Sequence, residues 1–215
     1  VCCGITKGMD TAILAETPRY DLRLKAVQVL VADNDETIRA LIEMVLLQLG
    51  FGKVHQAEDG VDALRILRSQ AVDLVITDWD LQPKKAHLEL MRQGQKGIPL
   101  NGASFIQQIR FSQGAPDPYL PVIMLTGPLQ TLQIEQARDA GVNQILVKPL
   151  VVETLCQRII ALVEKPRSFV VSARYRGPCR RFQRLPLENH PERRTQEVQV
   201  ISFAEQKRIL QDARG

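Results

Sequence analysis

Between residues 27 and 163, short apolar runs alternate with stretches of helical spacing. Residues 27–32 (apolar but for Gln28), 74–77 (apolar but for Thr77), 121–125 and 145–147 are strand-length apolar runs, and residues 53–57, with Val54 and Ala57, form a short fifth strand. Between them, Ile38, Leu41, Ile42, Val45, Leu46 and Leu49 recur at i, i+3, i+4, and Gly50 follows. Val61, Leu64 and Leu67 follow Gly60; Phe105, Ile106 and Ile109 mark a third helix. Ile134, Ala137 and Ala140 mark a fourth, stopped by Gly141, and Leu155, Ile159, Leu162 and Val163 a fifth. Strands that are continuously apolar are buried on both faces, so the pattern predicts an α/β fold with a five-stranded parallel sheet between helical layers.

Ligands of such sheets sit beyond the carboxyl ends of the strands. The residues there are Asp33, Asn34 and Asp35, then Asp78, Thr126 and Lys148. Taken singly, the Asp residues read as caps, the Thr as a turn residue and the Lys as a solvated charge. Taken together, four strands deliver acids, a hydroxyl and an ammonium to one edge. Clustered carboxylates suit a hard divalent cation, and a carboxylate can itself accept a phosphoryl group. A Lys ammonium and a Thr hydroxyl can stabilise the phosphoryl oxygens.

These segments resemble the receiver domain of two-component response regulators. The resemblance lies in residues 29–35 with Arg39, residues 73–80, residues 122–127 and residues 147–149. It implies a flavodoxin-like, doubly wound sheet of order 2-1-3-4-5. By the same resemblance Asp78 is the phosphoacceptor, with Lys148 and Thr126 as its catalytic partners. Asp33, Asn34, Asp78 and the backbone carbonyl of Asp80 would hold Mg²⁺. The implied phosphodonor is a sensor histidine kinase or a histidine phosphotransfer protein, with a downstream protein target, in the cytoplasm. Such a protein is a signalling switch that catalyses its own phosphorylation and dephosphorylation, with no metabolic activity.

Three features depart from the family pattern. The second acid-pocket position is Asn34, a neutral ligand that weakens metal affinity. The aromatic switch position is Ile145, a stiff β-branched side chain. Residues 81–101 form an insertion, expected to hold a short helical turn at Leu88, Leu90 and Met91, with His87 solvated and paired with no metal ligand or nucleophile. Asn34 leaves open an alternative, a degenerate, phosphate-independent receiver acting as an interaction scaffold.

The net charge of +4 is unevenly spread over the 215 residues. Residues 1–164 carry 16 basic and 19 acidic side chains, residues 165–215 carry 12 and 5. The chain thus divides into an N-terminal extension (1–25, with Met9 a candidate start), a receiver (26–164) and a basic tail (165–215). Pro and Arg density reads the tail as mostly irregular, with a short strand at 197–201 and a short helix at 203–213. Only Tyr175 and Phe182 interleave with its Arg cluster, and no helix-turn-helix pattern fits, so nucleic acid is disfavoured. No apolar run approaches the ~20 residues of a bilayer span. Cys2, Cys3, Cys156 and Cys179 lack metal spacing and read as reduced thiols.

Overall fold

The computed structural model describes residues 22–92, 99, 101–112, 117–128, 130–180 and 199–214. Met9, Cys2, Cys3, Lys96, Arg181, Phe182 and Glu197 lie outside them. A 3-10 turn at Leu22–Ala26 leads into β1 (Gln28–Ala32), α1 (Glu36–Gln48), β2 (Lys53–Ala57), α2 (Gly60–Ser69) and β3 (Leu74–Asp78). Then come α3 (Lys85–Arg92), α4 (Gly102–Phe111), β4 (Val122–Thr126), α5 (Thr131–Ala140), β5 (Gln144–Val147) and α6 (Val152–Glu164). The five strands pair in parallel in the order β2-β1-β3-β4-β5.

Alternate strand residues feed two cores. Leu30, Ala32, Val75, Val122 and Met124 face α2, α4 and α5 through Leu67, Phe105, Ile106 and Ala137. Val29, Val31, Ile76, Ile123 and Leu125 face α1 and α6 through Ile42, Leu46, Leu155 and Ile159. Burial on both sides explains why β1, β3 and β4 read as unbroken apolar runs.

Local chemistry sets the helix starts. Asp35 caps α1, its carboxylate accepting from Thr37 N at 2.8 Å and Ile38 N at 3.4 Å. Asp59 caps α2, and Asn101 with Ser104 forms a reciprocal capping box on α4. Gly141 ends α5 with φ 92°, a left-handed backbone that a side chain would strain.

The tail is more regular than its composition suggests. β6 (Phe169–Val171) pairs antiparallel with β7 (Arg176–Pro178) and with β8 (Gln199–Ile201), and α7 (Phe203–Arg214) follows. The helix and β8 fall in the expected regions; β6 and β7 were not legible. It rests on the receiver through Arg110, which is fully buried. The guanidinium donates to Gly141 O at 3.2 and 3.0 Å, to Pro118 O at 2.9 Å and to Asn143 Oδ1 at 3.2 Å. Phe169 of β6 covers it, with the guanidinium carbon 5.1 Å from the ring centroid. Burial pulls the Arg110 pKa down to about 10, with Asp117 and Tyr175 opposing the shift.

Candidate functional site

The carboxyl edge of the sheet brings Asp33, Asp78, Thr126 and Lys148 together through register. Ala32 pairs with Thr77, Asp78 with Leu125, and Thr126 with Val147. One residue beyond β1 and one beyond β5 then reach the end of β3. Lys148 Nζ lies 2.8 Å from Asp33 Oδ2 and 3.1 Å from Asp78 Oδ1. Both carboxylates are buried, at 2% and 8% exposure, so one ammonium serves two desolvated acids.

The electrostatics follow from that imbalance. Burial pushes the Asp78 carboxyl up, the neighbouring Asp33 adds to the rise, and Lys148 only partly opposes them. For Lys148, burial disfavours the charge, but the hydrogen bond to Asp33 and the field of Asp78 outweigh it and hold the pKa above the usual lysine value. Asp33 is fixed from behind. Its Oδ1 accepts from Asp35 N at 2.9 Å, and its backbone carbonyl accepts from Arg39 Nη1 at 2.7 Å.

Thr126 is buried and donates to Gly127 O at 3.0 Å. Asn34 and Asp80 are exposed beside this pocket in sequence. Among the described residues no group of three or more His, Cys, Asp or Glu side chains is arranged to hold a metal. The two buried acids are the carboxylates that come together, and the Asp80 carboxylate does not join them.

Gly102 is a site residue by necessity. A Cβ there would lie 2.2 Å from the Asp78 carbonyl oxygen, and Gly102 N donates to Trp79 O at 2.8 Å. Only a glycine lets α4 begin against the end of β3.

The inserted segment corrects one expectation: His87 packs largely buried against Asp59 rather than standing solvated. Its Nδ1 lies 2.5 Å from Asp59 Oδ2, and its side chain is 21% exposed. The buried Asp59 also accepts from Val61 N, Asp62 N and Lys84 N, at 2.9, 2.9 and 3.0 Å. Burial alone would raise the Asp59 pKa; the hydrogen bonds from Lys84, Asp62 and His87 outweigh it and hold it below the usual value. Lys84 Nζ pairs with Glu58. Leu81 and Pro99 are both buried, so the segment is anchored at each end. Its helix, α3, spans Lys85–Arg92, longer than the single turn expected. No signal in the sequence links Asp59 to His87, which lie 28 positions apart.

Residues 29–160 match the family described as the response regulator receiver domain. The chemotaxis protein CheY-3 of Vibrio cholerae is 31% identical over 141 residues, covering 66% of this chain and 95% of that protein. The chemotaxis protein CheY of Pseudomonas aeruginosa is 31% identical over 139 residues, covering 65% and 98%. Among solved structures, a response regulator receiver domain from Clostridium thermocellum superposes with a TM-score of 0.50 at 26% identity, covering 64% of this chain and 94% of that one. A two-component response regulator from Clostridium difficile gives 0.52 at 19% identity, covering 65% and 97%, a likeness of fold.

Proposed function

The chain belongs to the response regulator receiver family, whose proteins work in two-component signalling, and from that premise we propose that it accepts a phosphoryl group on Asp78 from a histidine kinase or histidine phosphotransfer protein. The observation that carries this reading is the buried pair Asp33 and Asp78 sharing the Lys148 ammonium. In the transfer, an Asp78 carboxylate oxygen attacks phosphorus. The P–O bond forms as the P–N bond to the donor imidazole breaks, and the departing nitrogen keeps the electron pair. Lys148, already 3.1 Å from Asp78, follows the charge onto the phosphoryl oxygens. Thr126 exchanges its bond to Gly127 O for one to the phosphoryl group.

Two buried carboxylates against one ammonium leave surplus negative charge, which fits a hard dication. Asp33, Asp78, the Asp80 carbonyl and the Asn34 amide oxygen are the residues that would hold Mg²⁺. When bound, it neutralises phosphoryl oxygens. Asn34 lowers the negative charge available, so the Mg²⁺ requirement is higher than an acid there would give.

The activated state then presents a changed surface to a downstream protein target, in the cytoplasm. Ile145 lacks an aromatic ring to swing, so Thr126 is read through the β4 loop backbone. The test is incubation with radiolabelled acetyl phosphate and Mg²⁺. Wild type takes up an alkali-labile label on Asp78, and Asp78→Asn takes up none. An unlabelled wild type overturns the proposal.

The neutral, exposed Asn34 favours a second reading, a phosphate-independent scaffold. Beryllofluoride with Mg²⁺ separates the two. A fluorescence change at Trp79, next to Asp78, supports the switch, and a flat titration supports the scaffold.

A further inference from the structure

Asp33 is held at four points, each by a different kind of group. Its amide donates to Ala57 O at 3.2 Å, on β2. Its Oδ2 accepts from Lys148 Nζ at 2.8 Å, a donor shared with Asp78, and its Oδ1 accepts from Asp35 N at 2.9 Å. Its carbonyl oxygen accepts from Arg39 Nη1 at 2.7 Å. This last bond fixes the peptide between Asp33 and Asn34, so the guanidinium sets the direction of the charged acid and of its neutral neighbour together. Asn34 brings no charge, and the pocket depends all the more on where the Asp33 carboxylate stands.

Arg39 is positioned in its turn by two further side chains. Its Nε donates to Gln56 Oε1 at 3.3 Å, and Gln56 Nε2 donates to Glu43 Oε2. Chemistry forces the direction of this chain. A guanidinium only donates and an ionised carboxylate only accepts, so the amide between them turns its oxygen to Arg39 and its nitrogen to Glu43. Arg39 and Glu43 stand one turn apart on α1, and Gln56 lies opposite Val31 in the β1–β2 register, two residues short of Asp33. Gln56 is exposed, and Arg39 and Glu43 are half-buried. Polar pairs in such places contribute little to stability, so what this chain supplies is geometry.

We propose that Arg39 is a positioning residue for the acid pocket, and that Gln56 and Glu43 keep its guanidinium on the Asp33 carbonyl. The proposal rests on the reading of Asp33 and Asn34 as residues that would hold Mg²⁺. The planar fork of an arginine suits the task, because Nη1 holds Asp33 while Nε holds Gln56. A lysine reaches the carbonyl with its single nitrogen and leaves Gln56 without a part to play.

The test is a Mg²⁺ titration of the full chain without phosphodonor, read by Trp79 fluorescence, beside a thermal melt of each variant. Arg39→Ala raises the half-saturating Mg²⁺ concentration by about tenfold, the usual cost of losing a group that orients a metal-holding side chain. Gln56→Ala and Glu43→Lys raise it by about threefold, the scale of one modest hydrogen bond, with the melting midpoint unchanged. Glu43→Gln keeps an acceptor and stays near wild type. Arg39→Lys recovers part of the loss, and in that background Gln56→Ala adds nothing, because the fork is gone. A flat titration of wild type overturns the proposal, as does a half-saturation point that Arg39→Ala leaves in place. So does a Gln56→Ala effect that persists beside Arg39→Lys, or equal behaviour of Glu43→Lys and Glu43→Gln. If Arg39→Ala does not fold, the Gln56 and Glu43 variants decide. Labelling takes no part in this titration, so a wild type that binds Mg²⁺ but takes up no label overturns the phosphoryl reading alone.

Discussion

Asp78 is held ionised in a place that disfavours its charge. Burial and the neighbouring Asp33 both raise its carboxyl, so its ionised form costs stability at neutral pH. The protonated form contributes stability at low pH that is lost as pH rises through the raised value. Asp78→Asn removes that cost, and its thermal midpoint rises by about 2–4 °C, the shift ~1 kcal/mol gives a chain of this size. A midpoint at or below wild type in a thermal melt at pH 7 sinks the argument. The same rise predicts that phosphorylation by acetyl phosphate slows as pH falls through a value above the ordinary Asp range, because the protonated acid is no nucleophile. A rate that stays flat down to pH 4 contradicts it. Gly102→Ala fails for a different reason. Its Cβ meets the backbone oxygen of Asp78, which cannot move without moving the nucleophile. Labelling and stability therefore fall together, stability by about 1–3 kcal/mol, read from urea unfolding.

The inserted segment is tied to the body by one carboxylate. Asp59 caps α2 and at the same time receives Lys84 N and His87, so a helix start and a loop anchor share one side chain. Asp59→Ala loses both and lowers stability by about 1–2 kcal/mol through the cap alone. His87→Ala leaves the cap intact, and limited proteolysis should then cut near α3 faster while the melting midpoint barely moves. Equal cutting in wild type and variant refutes the anchor. Because the Asp59 pKa is lowered, its stabilisation is complete above the ordinary Asp range and fades as pH falls through the lowered value. At this scale the limits of sequence reading are plain. The strands and helices around Leu30, Ile76 and Ile123 were legible because two-sided burial writes unbroken apolar runs. Asp33, Asp78, Thr126 and Lys148 were legible as strand-end residues. Asp59 with His87 was not, because a helix cap and the inserted helix α3 meet by tertiary packing, which leaves no period in the sequence. β6 and β7 were not, since strands of three residues are too short to show alternation.

For the molecule as a whole, the tail packs on the body through a buried aromatic. Phe169 is 2% exposed, stands edge-on to Tyr119 with centroids 5.3 Å apart, and covers the Arg110 guanidinium. Phe169→Ala therefore destabilises the body although Phe169 lies beyond the family match, by about 3–5 kcal/mol for a buried aromatic removed. The expected loss in melting midpoint is roughly 10 °C. A midpoint within a degree of wild type shows the tail to be a passenger. Arg110 has a consequence for chimeras. It is encoded inside the stretch shared with other receivers, while its aromatic cover is encoded outside it. A receiver transplanted by the shared boundaries carries a desolvated cation with its roof left behind. A graft that respects the physics moves Arg110 and Phe169 together or replaces both, making residues 29–160 of this chain a poor unit of exchange even though they are its most recognisable part.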